Sequence, residues 1–234
     1  SFDQLAMLAG TQFDFPAWGA TKLSYLVYAS LSAQSPNLVA ECRMFDLAAN
    51  SQVIGQRLAT DVGNPRMIPH RFSEAIAYKI DGTAGMATSR ICFSGTVASG
   101  KKEIFVADYD GHNVKQLTNF NSISIKPKFS PDGTKIAYLS YKDRYPFLYV
   151  LDLATGKSTS LSKNVGLNSA PAWHPDGSRL AMTLSKDANT EIYIKNWDGS
   201  GERRVTNNPA GDTSPTFDPS GTQIAFVSDR GGQP

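Results

Sequence analysis

The tetrapeptide Ser130-Pro131-Asp132-Gly133 returns as His174-Pro175-Asp176-Gly177 and as Asp218-Pro219-Ser220-Gly221, each 44 residues after the one before. A second phrase keeps the same interval: Glu103-Ile104-Phe105-Val106, Phe147-Leu148-Tyr149-Val150, Glu191-Ile192-Tyr193-Ile194. A period of about 40–45 residues, with short apolar strands between turn residues, is the pattern of propeller blades. A propeller is most often a platform for binding. The repeat therefore narrows the functional question to what docks on that platform.

Each unit reads as four short strands. Pro127-Lys128-Phe129 runs into the Ser-Pro-Asp-Gly turn, where proline presets φ and glycine accepts the conformation that follows. The next strand, Lys135 to Leu139, returns as Arg179 to Thr183 and as Gln223 to Val227. A third strand runs from Phe147 to Asp152, and short fourth strands end at Thr118, Leu161 and Thr206. Arg90 to Thr118 supplies a partial unit, two full units follow, and residues 207–234 supply about half of another. That makes about three blades, whereas closed propellers have about four to eight. The count predicts that these residues are part of a longer polypeptide; closure by dimerisation is the alternative.

No repeat precedes Gly82. Leu23 to Leu31 reads as a buried strand, Asn37 to Leu47 as an alternating second strand, and Gln52 to Leu58 as a third. After Pro65 and Pro69, the residues Ile68, Phe72, Ala75, Ile76 and Ile80 recur at helical spacing, and Gly82 stands where a helix-ending glycine belongs. The expected fold class is an α+β amino-terminal module over residues 1–85, followed by an all-β propeller over residues 86–234, both incomplete.

A net charge of +2 gives no reason to expect nucleic acid or an anionic membrane surface. No stretch reaches the roughly 18 apolar residues that cross a bilayer, and no signal peptide opens the chain. Cys42 and Cys92 read as two buried free thiols, and they lack the further ligands of a zinc site. His70, His112 and His174 have no partner at metal spacing and read as solvated or capping residues. Trp173 and Trp197 read as packing residues. There is no phosphate-cradling glycine loop and no Gly-x-Ser-x-Gly nucleophile elbow. No catalytic residue, metal or cofactor is expected.

Ala170-Pro171-Ala172-Trp173-His174-Pro175-Asp176-Gly177-Ser178-Arg179-Leu180-Ala181 resembles the blade phrase of the TolB family, the periplasmic propellers of Tol-Pal systems. Val106 to Gly111, Leu151 to Gly156, and Asp212 to Pro215 with Asp229 to Pro234 fit the same family. Met44-Phe45-Asp46-Leu47, Ile54-Gly55-Gln56-Arg57 and the helix around His70 to Ile76 follow in the family's order. The resemblance covers nearly the whole chain and is weakest before Trp18. It implies an α/β domain joined to a six-bladed propeller, with the family's TolA-contacting segment outside these residues. It also implies a non-enzymatic periplasmic scaffold that supports outer-membrane integrity and constriction during cell division. Pal would dock on the propeller face, and other Tol proteins and colicins would be further partners.

The docking residues would lie in the loops preceding Pro127, Pro171 and Pro215. These are Ile125 and Lys126; Leu167, Asn168, Ser169 and Ala170; and Asp212, Thr213 and Ser214. Ala170 and Thr213 match family contact positions, and Leu167 stands where relatives often carry histidine. Composition alone leaves all of these as ordinary loop residues. Two competing readings are the gating propeller of a prolyl-oligopeptidase-like serine peptidase and a glycan-binding or glycosidase propeller.

Overall fold

The computed structural model describes Trp18 and residues 22–232. The chain divides into two compact units, Ser1–Ser89 and Arg90–Pro234. In the first unit, strands β1 (Tyr25–Gln34), β2 (Asn37–Asp46) and β3 (Ser51–Asp61) form an antiparallel sheet in sequence order. Alternation along β2 puts Ala40 and Cys42 on one face. Helix α1 (Met67–Asp81) lays Ile68 and Phe72 onto that face, ringed by Leu38, Ile54, Leu58 and Ile76. Gly82, at φ 69°, ends the helix and donates its N–H to the Tyr78 carbonyl at 2.9 Å.

Three expectations for this unit need correction. Pro69 lies inside the first helical turn, where its missing N–H breaks no bond, rather than before the helix. Ile80 is 53% exposed because the last turn runs past the apolar contact. β1 is a strand but not a buried one: Tyr25, Val27 and Leu31 are exposed. A helix about 10 Å across covers about two strands at ~4.8 Å spacing, and α1 lies over β3 and β2.

The second unit is all strand. β4 (Arg90–Ala98), β5 (Lys101–Asp108) and β6 (Lys115–Gln116) form a first sheet. β7 (Ser124–Phe129), β8 (Lys135–Asp143), β9 (Tyr145–Asp152) and β10 (Ser158–Ser162) form a second. β11 (Asn168–Trp173), β12 (Arg179–Asp187), β13 (Asn189–Asn196) and β14 (Arg203–Arg204) form a third, and β15 (Asp212–Phe217) pairs with β16 (Ile224–Ser228). Every pair is antiparallel, which gives a partial blade, two four-stranded blades and the start of another.

Blades bury both of their faces, so Ile136-Ala137-Tyr138-Leu139 and Leu180-Ala181-Met182 are continuous buried runs. Leu139, Leu148 and Val150 of the second sheet meet Leu180, Met182, Leu184 and Tyr193 of the third. Ile104 of the first sheet joins Ile136, Tyr138, Tyr149 and Leu151 of the second. Full burial of a side chain such as Leu148 contributes about 2 kcal/mol.

The recurring turns lie at the far end of the strands. Gly133, Gly177 and Gly221 have φ between 67° and 73° and close back onto Ser130, His174 and Asp218. Hydroxyls of Ser130 and Thr134 hold the pKa of the Asp132 carboxyl at about 2, and the backbone N–H and hydroxyl of Ser178 do the same for Asp176. Of the solvated or capping roles expected for His174, the structure shows the capping one: its Nδ1 accepts the Asp176 N–H at 3.2 Å. His174 is buried, packed edge-on against Phe217 at 4.8 Å, and its Nε2 lies 3.0 Å from the Gly221 carbonyl oxygen. Successive blades are tied by Arg90 to the Gly133 carbonyl (2.7 Å) and by Trp173 Nε1 to the Lys128 carbonyl (3.0 Å). Trp173 and Trp197 pack on the core as expected. Both cysteines are free; Cys42 is buried and Cys92 half-buried.

Candidate functional site

The first strands of the last three blades, β7, β11 and β15, carry the same irregularity. β7 pairs with β8 through Ile125↔Leu139 and then Lys128↔Ala137, so Lys126 and Pro127 together oppose one residue. β11 repeats this between Ser169↔Thr183 and Ala172↔Ala181, and β15 between Thr213↔Val227 and Thr216↔Ala225. These are two-against-one β-bulges. Lys126, Ala170 and Ser214 take φ of 55°, 50° and 53°. The left-handed region costs a side-chain-bearing residue about 1 kcal/mol or more, so three repeats of that strain mark a site the fold over-determines. The residue after each is proline, which has no N–H to lose from the ladder.

The segments predicted as loops are therefore bulged strands. The correction has a physical cause, since proline reads as a loop signal but is admitted at a bulge. The three bulges converge on one cleft of about 470 Å³, lined by Lys126, Pro127, Lys128, Ala170, Pro171, Ser214, Pro215 and Thr216. Its lining carries two ammonium groups and no carboxylate. The backbone N–H of Ser214 donates to Thr183 Oγ1 of the third sheet at 3.1 Å, which fixes the third bulge against its neighbour.

The predicted docking residues separate into two groups. Lys126, Ala170 and Ser214 line the cleft; Ser169 and Thr213 stand beside it, half-buried in their strands. Leu167 is 40% exposed just before β11, its N–H held by Ser185 Oγ at 2.7 Å. The others are withdrawn from the surface. Ile125 packs on the core between the second and third sheets. Asn168 is fully buried: its Oδ1 accepts from Ser162 Oγ (2.8 Å) and the Asn164 N–H (3.2 Å), and its Nδ2 donates to the Asn164 carbonyl (2.7 Å). Asp212 is fully buried and accepts from Arg230 Nη2 at 2.7 Å. Burial raises its pKa, but the neighbouring Ser228 hydroxyl and the Arg230 guanidinium outweigh that and hold the carboxyl below its ordinary range.

Sequence reading missed the prolines, Lys128 and Thr216 as lining residues, although the 44-residue recurrence of X-Pro was a visible signal. It also missed two buried carboxylates at this end of the blades. Glu103 accepts from Thr118 Oγ1 (2.6 Å) and the Phe120 N–H (2.7 Å). Glu191 accepts from Thr206 Oγ1 (2.5 Å), the Asn208 N–H (2.8 Å) and Arg204 Nη2 (2.9 Å). Each ties the segment leaving the fourth strand back to the third. Among the described residues no group of three metal-ligating side chains converges, and no helix is long and apolar enough to cross a membrane.

Radial four-stranded sheets with a bulged first strand facing a common cleft define a β-propeller. The model of the TolB beta propeller domain family matches residues 78–234, and the chain belongs to that family. A TolB homolog of Chlorobium chlorochromatii is 33% identical over 68% of this chain and 36% of its own length. The Tol-Pal system protein TolB of Roseobacter denitrificans is 34% identical over 65% of this chain and 35% of its own length. The chain thus spans little more than a third of the curated relatives it matches. The crystal structure of TolB from Acinetobacter baumannii is similar at 28% identity and a TM-score of 0.85, over 94% of this chain and 56% of that one.

Proposed function

We propose that this chain contributes the bulged face of a non-enzymatic docking propeller in a Tol-Pal system of the bacterial envelope, and that Pal, the peptidoglycan-associated lipoprotein, binds there. The observation that carries the reading is the convergence of three bulges, 44 residues apart, on one cation-bearing cleft free of carboxylates. Rigid strands hold that face, so binding needs little ordering of the receptor. In this reading Ala170, which lines the cleft, and Thr213, which stands beside it, are the main contacts, with Ser169, Ser214, Lys126 and Leu167 around them. A periplasmic location, partnership with other Tol proteins, capture by colicins, and a role in outer-membrane integrity and cell constriction follow from the same family reading.

The test is a calorimetric titration of the full-length protein with soluble Pal. Thr213→Arg and Ala170→Glu are expected to weaken binding several-fold or more while thermal melts stay unchanged, because Ala170 lines the open cleft and neither residue belongs to the buried core. Unchanged affinity in both variants removes the assignment.

A further inference from the structure

Repeat arithmetic singles out one residue on this face. Phe147 stands 44 residues after Glu103 and 44 before Glu191. In the first and third sheets those carboxylates are fully buried and bind the backbone N–H of Phe120 and Asn208. The equivalent N–H in the second sheet belongs to Asn164, and a phenyl ring cannot accept it. Asn168 has taken over that bond from the other side. A cavity of about 310 Å³ stands beside the ring, lined by Tyr145, Phe147, Lys163, Asn164, Val165 and Gly166.

The cavity has the makings of a recognition pocket. Tyr145 and Phe147 form one wall, their rings 6.1 Å apart. Tyr145 is 66% exposed and Val165 91%, with Leu167 next to them. Exposed aromatic and aliphatic groups around a concavity are the commonest anchor sites of protein interfaces. Lys163 lines the cavity, and the hairpin that precedes Tyr145 carries Lys142 and Arg144 on either side of Asp143. Asp143 is already engaged by Lys163 at 2.5 Å and by the Tyr149 hydroxyl at 2.8 Å. Lys142 lies 4.2 Å and 4.0 Å from the ring centres of Phe120 and Tyr149. Burial and the like charge of Lys163 lower its pKa against the pull of Asp143.

We propose that this cavity is an anchor pocket that receives one apolar side chain, of leucine or phenylalanine size, from a partner polypeptide whose flanking carboxylates lie over Lys142, Arg144 and Lys163. The pocket opens at the same end of the strands as the bulges, and its lining residue Gly166 is followed in the chain by Leu167 and then by bulged strand β11. The inference rests on the docking face proposed above and adds the chemistry of the contact: an acidic segment carrying an apolar anchor.

The experiment titrates the full-length protein and four variants with soluble Pal at two salt concentrations. Tyr145→Ala removes an exposed wall. Phe147→Glu restores the arrangement of the sister sheets and fills the pocket with a carboxylate aimed at Asn164. Both are expected to weaken binding on the order of tenfold. Lys163→Glu is expected to weaken it several-fold and to flatten its salt dependence. Thr213→Arg serves as the reference for the docking face itself. If Thr213→Arg weakens binding while Tyr145→Ala and Lys163→Glu leave it unchanged, the pocket assignment is wrong and the docking face stands. If the parent protein does not bind Pal, both fall. Should Phe147→Glu lower the melting temperature, Tyr145→Ala decides the matter alone.

Discussion

The second and third sheets of the propeller are built on one plan and differ at one end. Both have the same strand order, the same bulge and the same proline-glycine turn. Both latch a tyrosine of the third strand to an aspartate of the hairpin, Tyr149 to Asp143 at 2.8 Å and Tyr193 to Asp187 at 2.5 Å. The third sheet then ties its exit segment with buried Glu191, whereas the second places Phe147 there and ties the segment with Asn168. Positions that dictate backbone geometry repeat strictly. A position that only satisfies a backbone N–H can be relieved by a neighbour, and so becomes free to acquire surface chemistry.

The contrast can be broken most severely at Glu191. Glu191→Ala leaves Arg204, Thr206 and the Asn208 N–H without their acceptor, and is expected to cost about 3 kcal/mol in chemical denaturation. A loss under about 1 kcal/mol would mean the tie is dispensable, and the difference from Phe147 would then teach nothing. A smaller effect separates two turns. Gly177 and Gly221 share a left-handed φ, but a Cβ on Gly221 would stand 2.4 Å from the His174 ring, while one on Gly177 would meet only Pro131 at 3.8 Å. Gly177→Ala is expected to cost about 1 kcal/mol, and Gly221→Ala about twice that. Equal costs would show that the ring moves freely and that His174 does not clamp the last strands.

The smallest expected effect is in acid. Asp132 and Asp176 titrate at about 2 when folded, below the ~3.9 of a free aspartate. A depressed folded pKa adds stability that is complete above about pH 4 and is lost as the pH falls toward 2. Asp132→Asn should therefore shallow the acid limb of stability against pH while changing little at neutrality. An unaltered limb would show that the turn hydroxyls do not hold the carboxylate.

The blades were legible because their repeat is carried by side chains whose geometry is local: proline and glycine in turns, apolar residues in strands. The cleft was only half legible. Pro127, Pro171 and Pro215 signal a break in pairing, and sequence cannot tell a loop from a bulge that keeps its ladder on both sides. Asn168 and Asp212 looked like surface groups because polarity says nothing of partners; their burial depends on Ser162, Asn164 and Arg230 brought in by folding. β1 looked buried because its residues are apolar, but burial depends on what covers a strand, and α1 lies over β2 and β3.

The most direct test of the docking face is hydrogen–deuterium exchange on the full-length protein with and without soluble Pal. The account predicts that protection on binding falls on residues 142–146 and 163–170 and around 213–216. Protection confined to the opposite end, at residues 130–134, 174–178 and 218–222, would contradict it.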